Sequence, residues 1–94
     1  MDKIELGQVA HTAAVHNQTR QDAAFNKHCW DCLNRHKNKD FGDIPEEDKE
    51  LNLLALGPEG GRIFSVYNDQ KFPTIWIITE WDRKNTTILF PNDY

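Results

Sequence analysis

The sequence predicts an α+β fold in which two main helices pack on a C-terminal three-stranded antiparallel meander. Apolar residues recur with a helical period in the first half of the chain and with a period of two after the Gly60-Gly61 pair. β-branched and aromatic residues are concentrated in that second part, which is typical of strands. A chain of 94 residues is long enough for one modest core, so we expect residues 1–94 to form a single domain.

The first main helix is predicted from about residue 19 to residue 38. One face of this helix carries residues spaced at i, i+4, i+7, i+8 and i+11, namely Phe25, Cys29, Cys32, Leu33 and His36. We expect this stripe to face the core. The preceding residues are ambiguous, because Ile4, Leu6 and Val9 fit a short extended segment while residues 11–17 fit a short helix.

The second main helix is predicted to begin near Asp43. Asp43 is a good N-cap residue, Glu46 stands three positions later as in a capping box, and Pro45 is tolerated in the first turn. The helix should reach about residue 56 and end at the following Gly-Pro pair. Its expected core contacts are Leu51, Leu54 and Ala55.

Three strands are predicted at residues 62–67, 74–81 and 86–90. Loops of hairpin length join them, so consecutive strands should be antiparallel. The middle strand is apolar on both of its faces as far as Thr79, which indicates the central position in the sheet. Residues 82–85 are then a turn, and the charged residues around it should form an outward rim.

Composition restricts the classes of partner. A formal net charge of −4 disfavours direct binding to a nucleic-acid backbone, which requires a basic patch. The acidic segment at residues 40–50 has two interpretations, a mimic of nucleic acid or a helix N-terminus with a solvated face, and the second is favoured. No apolar run reaches the roughly 20 residues that span a bilayer, the N-terminus lacks the features of a signal peptide, and the two cysteines suit a reducing compartment. We therefore expect a cytoplasmic protein without membrane contact.

The sharpest ligand-like cluster on one helix comprises His28, Cys29, Cys32 and His36. Helical spacing can place two ligands on one zinc ion, but a single helix cannot close a tetrahedral site, which would need His11 or His16 as well. The alternative is that both cysteines are small core residues. A redox pair is disfavoured because both thiols lie in the middle of the helix, away from its N-terminal dipole. We expect neither a metal nor another cofactor.

Polar side chains suited to catalysis fall into two groups along the chain. The first group comprises Arg35, His36, Asp40 and Asp43, and the second comprises Glu80, Asp82 and Arg83. If the fold joined the groups, His36 beside a carboxylate would act as a general base and Arg83 would hold an anion. A small ligand-binding or hydrolytic domain with a His36, Asp43, Glu80 and Arg83 pocket is therefore an alternative hypothesis for the function. Each residue also has a structural interpretation, such as a helix cap or a turn ion pair.

Four segments, at residues 35–43, 61–67, 75–83 and 86–94, carry a resemblance to a protein family. The chain resembles short bacterial, plasmid and phage proteins whose pattern is roughly RH-x-x-GDWGD, EEDK-x-x-N, GGR-x-x-SAY and IWIITE-x-DRS-x-TT-x-LFP-x-EY. It departs from that pattern at Lys39, Phe41 and Lys84, where the family has Gly, Trp and Ser. The family's shared polar positions correspond to Arg35, His36, Asp40, Asp43, Arg62, Glu80, Asp82 and Arg83.

The resemblance implies a small non-enzymatic protein of mobile-element type that binds a host defence or regulatory protein, as anti-CRISPR and antirestriction inhibitors do. Such an inhibitor binds its partner through an exposed surface. The core of so small a domain cannot enclose all of the aromatic side chains, so some of them should be available at that surface. The surface expected to bind the partner comprises Asp40, Phe41, Asp43, Glu80, Trp81, Asp82 and Arg83. Arg35, His36 and Arg62 are expected to line a pocket beside it, no residue is expected to be catalytic, and the oligomeric state stays open.

Overall fold

The computed structural model describes residues 3–94. In chain order the elements are β1 (Gln8–His11), α1 (Ala13–Gln21), α2 (Ala23–Lys37), α3 (Glu46–Ala55), β2 (Ile63–Tyr67), β3 (Ile75–Thr79) and β4 (Asn85–Leu89), followed by a 3-10 turn at Pro91–Asp93. This order confirms the predicted α+β class. The three predicted strands agree with β2, β3 and β4 to within two residues at each end.

The sheet has four strands in the order β1-β4-β3-β2. The antiparallel meander of β2, β3 and β4 is present, with Ser65 opposite Ile77 and Ile77 opposite Ile88. The predicted three-stranded sheet is wrong in one respect, because β1 adds a fourth strand that runs parallel to β4, with Val9 opposite Thr86. The sheet is therefore mixed. The sequence signal for β1 is weak because the strand has four residues and all four are exposed.

A glycine allows the N-terminal segment to reach the sheet. Gly7 has a φ angle of 63°, in the left-handed region, and a Cβ atom there would overlap the carbonyl group of Lys84. The next residue, Gln8, donates its N–H to that same carbonyl at 2.8 Å. This close passage sets the register of β1 on β4.

The predicted helix at residues 19–38 is interrupted at Asp22. Asp22 is extended, with φ and ψ angles of −141° and 102°, and its carboxylate accepts hydrogen bonds from the N–H groups of Ala24 and Phe25. One residue thus ends α1 and caps α2. The predicted stripe of α2 is confirmed, since all five of its residues are buried: Phe25, Cys29, Cys32, Leu33 and His36.

The start of α3 differs from the prediction. The helix begins after Pro45, and no side chain caps it. The Asp43 carboxylate accepts instead from the backbone N–H of Asn68, at 2.9 Å. Acidic residues in the first turn of α3, which include Glu46 and Glu47, lie next to the positive end of the helix dipole.

The faces of α3 also differ from the prediction. Leu51 and Leu54, which were expected in the core, are exposed, whereas Asn52 and Ala55 are buried. The physical reason is that α3 lies beside the outer edge of β2 and contacts the strand through a polar amide. The Asn52 amide accepts from the N–H of Phe64 at 3.0 Å and donates to its carbonyl at 2.8 Å.

The rest of the β2 edge is covered by the loop between α2 and α3. The N–H of Val66 donates to the Phe41 carbonyl, and the Val66 carbonyl accepts from the N–H of Asp43 at 2.7 Å. Gly42 lies between them with a φ angle of 76°, and a Cβ atom there would collide with the Val66 carbonyl oxygen. The outward-facing backbone groups of both Phe64 and Val66 are therefore paired.

The core lies between the helices and one face of the sheet. Its larger cluster joins the α2 stripe to sheet residues that include Tyr67, Ile75, Ile77 and Ile88. A smaller cluster under α3 contains Ile4, Phe41, Ile44, Ala55 and Ile63. The opposite sheet face carries no helix and is partly exposed.

Candidate functional site

The polar residues predicted from the sequence lie at the two ends of β2. Asp43 binds the backbone of Val66 and Asn68 at the carboxyl end of the strand. Arg83 binds the Gly61 carbonyl just before the amino end. Gly61 and Val66 are five residues apart, which corresponds to about 16 Å of extended chain. The structure therefore does not bring Asp43 and Arg83 into one pocket.

His36, expected to line a pocket, is fully buried in the core. Its two ring nitrogens bind the hydroxyl oxygens of Ser65 and Thr79. Burial lowers the pKa of His36 from its ordinary 6.5 to about 4, because the charged form would lose its hydration. Within residues 3–94, every buried side-chain nitrogen and oxygen atom has a hydrogen-bond partner. His36 is thus a neutral structural residue, and the expectation of a pocket residue is corrected.

The residues at the end of α2 form a structural corner. Arg35 binds Asp40 with two hydrogen bonds, at 2.8 and 3.3 Å, and its guanidinium lies 4.8 Å from the centre of the Tyr67 ring. The hydrogen bond from Arg35 lowers the pKa of Asp40. Phe41, expected on the partner-binding surface, is only 6% exposed because it packs in the smaller core cluster beneath α3.

Arg83 is a structural clamp and not an outward-pointing charge. Its guanidinium donates to four backbone carbonyls, those of Ala55, Gly61, Glu80 and Trp81, at 2.6 to 3.3 Å. Arg83 itself has a φ angle of 60°, in the left-handed region. One side chain therefore holds the end of α3, the start of β2 and the turn between β3 and β4 together.

A hollow lined by aromatic residues lies on the sheet face that carries no helix. It has a volume of about 300 Å³ and is lined by Arg62, Phe64, Trp76, Ile78 and Tyr94. The Trp76 ring meets Phe64 edge-on at 5.1 Å and lies 5.7 Å from Tyr94. The lining is almost entirely apolar, so the hollow suits an apolar side chain.

Arg62 lines one side of this aromatic hollow and is paired with Glu80. The Arg62 guanidinium binds both carboxylate oxygens of Glu80, at 3.1 and 3.2 Å, and donates to the Tyr94 hydroxyl at 2.9 Å. The two residues are neighbours because Ile63 pairs with Thr79 in the sheet register. The sequence placed Arg62 and Glu80 among the candidate residues, and the structure brings these two together.

Exposed apolar side chains lie beside this end of the sheet. Trp81 is 69% exposed, and on α3 the exposed fractions are 61% for Leu51, 58% for Leu53 and 70% for Leu54. The Arg83 guanidinium binds the Trp81 carbonyl and the Ala55 carbonyl, so the backbone of Trp81 lies near the carboxyl end of α3. We call Leu51, Leu53, Leu54 and Trp81 the leucine–tryptophan surface.

The rim of the leucine–tryptophan surface is acidic. The exposed acidic residues on α3, on the loop after it and next to Trp81 are Glu46, Glu47, Glu50, Glu59 and Asp82. Asp82 also accepts the N–H of Lys84 at 3.0 Å, which stabilises the turn. Of the nearby cations, Arg62 and Arg83 are hydrogen-bonded to the protein itself, Lys49 lies 4.0 Å from Glu46, and Lys84 is exposed beside Asp82.

Both cysteines of the cysteine and histidine cluster lie in the core. Cys29 and Cys32 are free and buried, and burial raises their pKa values to about 11 and about 12. His28 stacks on Phe72 at 4.7 Å, and its Nε2 atom lies 3.6 Å from the Cys32 sulfur. In the part of the chain that the structure describes, no group of three or more His, Cys, Asp or Glu side chains is placed to hold a metal ion. The two thiols are core residues.

Sequence reasoning missed the leucines of α3 as surface residues. Successive helical positions are turned by about 100°, so side chains at three neighbouring positions cannot all face one core. Leu51, Leu53 and Leu54 surround a buried Asn52, and a run of this kind is the signal that some leucines must be exposed. The aromatic hollow carries no such signal, because it depends on the packing of Tyr94 over Trp76.

Comparisons with protein-family models, with curated proteins and with solved structures find no match to this chain. Among residues 3–94, no helix has the length and apolar character needed to cross a membrane.

Proposed function

We propose that the protein is a non-enzymatic protein-binding module that contacts its partner through the leucine–tryptophan surface. The observation that carries this proposal is the exposure of four large apolar side chains, each more than half accessible to solvent, at one end of a small domain. Apolar residues grouped in this way on a small protein are characteristic of interaction sites. Tryptophan is also among the residue types that contribute most to binding energy at interfaces.

Binding is favoured over catalysis by the state of the polar residues. Arg35, Arg62 and Arg83 are each hydrogen-bonded within the domain, and His36 has no access to solvent. A general base must reach a substrate proton at hydrogen-bond distance, and a fully buried imidazole with both nitrogens bonded does not meet that condition. These observations support a surface as the functional part of the protein.

The charge pattern defines the chemistry of the partner. The four acidic residues of α3 outnumber its one lysine, Lys49, so the complementary partner has an apolar groove with a mainly basic rim. On α3, Leu51 and Leu54 are about 60° apart around the helix axis and supply the apolar face of a helix-in-groove contact, which Trp81 extends. The aromatic hollow, about 300 Å³ in volume, receives one apolar side chain of the partner.

The family resemblance extends the proposal to a biological setting. A mobile-element protein of this kind binds a host defence or regulatory protein and blocks it, as an anti-CRISPR or antirestriction inhibitor does. A cytoplasmic location belongs to the same proposal and is supported by the two free, buried thiols, which suit a reducing compartment. The net charge of −4 supports a protein partner over direct contact with nucleic acid.

Affinity capture from cells of the native host tests the proposal. Wild-type protein should retain a stoichiometric protein partner, and Leu54→Glu or Trp81→Ala should reduce its recovery by about tenfold or more, because a hot-spot side chain contributes about 2 kcal/mol or more. Trp30→Ala is the matched control, since Trp30 is 61% exposed but lies on α2. Equal loss of the partner in all three variants, or no partner with the wild type, would contradict the proposal.

Arg83→Ala is not a suitable probe of this surface. Its four carbonyl bonds stabilise the fold, so the variant would confuse unfolding with loss of binding. Trp81 and Leu54 are exposed, and their variants should keep the thermal unfolding midpoint of the wild type within a few degrees.

A further inference from the structure

The free edge of the sheet is β1, and we propose that it pairs antiparallel with β1 of a second copy of this chain. The pair would form one continuous eight-stranded sheet. This inference is independent of the proposed function, because β1 and β2 are the two opposite edges of the sheet and α3 lies at the β2 edge.

The backbone groups of β1 alternate between facing β4 and facing away from the sheet. Gln8 donates its N–H to Lys84, and Thr12 donates to Ile88. In a parallel ladder alternate residues bond to the same neighbour, so Gln8, Ala10 and Thr12 face β4. The N–H and C=O groups of Val9 and His11 therefore point away from the sheet. Among residues 3–94, no hydrogen bond to these four groups is present.

The two edges of the sheet differ in how their outward backbone groups are paired. The outward groups of β2 are paired with Asn52 and with the loop at residues 41–43. The sequence of β1, Gln8–His11, contains no proline, lysine, glutamate or aspartate, which are the residues that commonly protect an edge strand. All four of its residues are exposed. Within residues 3–94, the β1 edge is therefore the one with unpaired backbone groups open to a further strand.

The free groups of β1 are complementary to themselves, which selects a second copy as the occupant. With a two-fold axis at Ala10, Val9 of each copy lies opposite His11 of the other copy, and four hydrogen bonds form. Ala10 then faces Ala10 of the second copy, and small side chains meet at the axis. The strand carries no lysine, arginine, aspartate or glutamate, so two copies of an acidic chain meet there without direct like-charge contacts.

The surface beside β1 has room for the added strand. A groove of about 370 Å³ lies between β1 and α2 and is lined by residues that include Val9, His11, Cys29 and Trp30. Val9 and His11 pair with the inward-facing Thr86 and Ile88, so their side chains lie on the same sheet face as the helices. The corresponding side chains of the second copy would lie at this groove and cover the exposed indole of Trp30.

Site-specific disulfide formation tests the register. Across the two-fold axis the Ala10 Cα atoms would lie about 4.5 Å apart, within the range of a disulfide, whereas the two Gln8 Cα atoms would be separated by four residues of strand, about 13 Å. Under mild oxidation Ala10→Cys should give a linked dimer, and the matched control Gln8→Cys should give at least tenfold less. The buried native cysteines do not compete, because their thiols stay protonated. Equal linkage in the two variants, or none in Ala10→Cys, overturns the proposal.

Solution mass gives a second test on the unmodified chain. Light scattering should show a dimer whose fraction rises with protein concentration, and added salt should strengthen it by screening the net charge. Val9→Pro removes an N–H that faces outward, so it should abolish the dimer while the circular dichroism spectrum is unchanged. A wild type that stays monomeric up to about 100 μM overturns the proposal and assigns the edge to another extended peptide. Partner capture by the leucine–tryptophan surface would be unaffected by either outcome.

Discussion

The Nε2 atom of His36 lies 2.8 Å from the Oγ1 atom of Thr79, and this hydrogen bond has only one direction. The Thr86 hydroxyl donates to the Leu6 carbonyl at 2.7 Å, so the Thr79 hydroxyl must donate to Thr86. Thr79 can then only accept from His36, which puts the imidazole proton on Nε2. Nδ1 is left to accept from the Ser65 hydroxyl at 2.6 Å. Burial favours the neutral imidazole, in which Nε2 donates and Nδ1 accepts.

Stability should therefore fall in mildly acidic solution. Burial lowers the pKa of His36 to about 4 in the folded state, while the unfolded chain titrates near 6.5. The unfolded state binds the proton first, so stability is lost as the pH falls from about 6.5 towards 4. Urea unfolding should show a decrease of about 2 kcal/mol between pH 7.5 and pH 5. The Asp40 carboxylate, whose pKa lies below its ordinary 3.8, adds its own loss only in stronger acid.

The control for this pH effect is a change at an exposed histidine. His16→Gln should keep the full decrease between the two pH values, because His16 is exposed and outside the donor chain. A wild-type free energy of unfolding that is the same at pH 7.5 and pH 5 would contradict the assignment of His36 as a buried neutral residue.

Asn52→Asp should destabilise the fold although it preserves the shape of the side chain. The amide nitrogen that donates to the Phe64 carbonyl would become a second acceptor, and a buried charge would face that carbonyl. We expect a loss of about 3 kcal/mol in urea unfolding at pH 7. The deficit relative to wild type should shrink near pH 4, where a protonated carboxyl group can donate. Asn26→Asp on the exposed side of α2 is the control and should change little.

Replacing Arg83 should separate two effects, hydrogen bonding and backbone conformation. Arg83→Ala removes the donors to four carbonyls and leaves a Cβ atom at a φ angle of 60°. Arg83→Gly also removes the donors but tolerates that angle, so it should be more stable than the alanine variant by about 1 kcal/mol. The thermal unfolding midpoints of the alanine and glycine variants measure the two effects. If Arg83→Lys restored the wild-type midpoint, the four-carbonyl clamp would not be the stabilising feature.

A pair of glycine substitutions tests the crossing of residue 42 over β2. Gly42 and Gly60 have similar left-handed φ angles of 76° and 73°. A Cβ atom on Gly42 would collide with the Val66 carbonyl, whereas one on Gly60 would meet no atom within 4 Å. Gly60→Ala should cost about 1 kcal/mol in urea unfolding, from backbone strain alone, and Gly42→Ala about 3 kcal/mol or more. An equal loss in the free energy of unfolding for the two variants would mean that the β2 edge can move away from residue 42.

The elements that follow from the sequence are those with a clear period. The buried stripe of α2 repeats every three to four residues, and β3 is apolar on both faces, so the stripe and an interior position for β3 were predicted correctly, although the helix begins at Ala23. Arg62 and Glu80 were both recognised as candidate residues, although their pairing depends on the register of Ile63 with Thr79. Periodicity reports which side of an element is buried and not what lies next to it.

The features that could not be predicted from the sequence depend on contacts between segments that are distant along the chain. β1 is short and exposed, and its place beside β4 depends on the passage of Gly7 over Lys84. Phe41 lies in a segment rich in charged residues, yet it is buried because residues 41–43 cover the β2 edge. Arg83 lies in a charged segment of the kind that is typical of an exposed turn. The four carbonyl groups that surround its side chain come together only in the folded chain.

The covering of β2 by Asn52 and residues 41–43 limits how far this sheet can grow. Two copies joined at β1 would present only β2 at each outer margin, and neither margin offers an unpaired backbone group at Phe64 or Val66. Polymerisation by strand addition would therefore stop after a single step, giving a closed symmetric pair instead of a fibre.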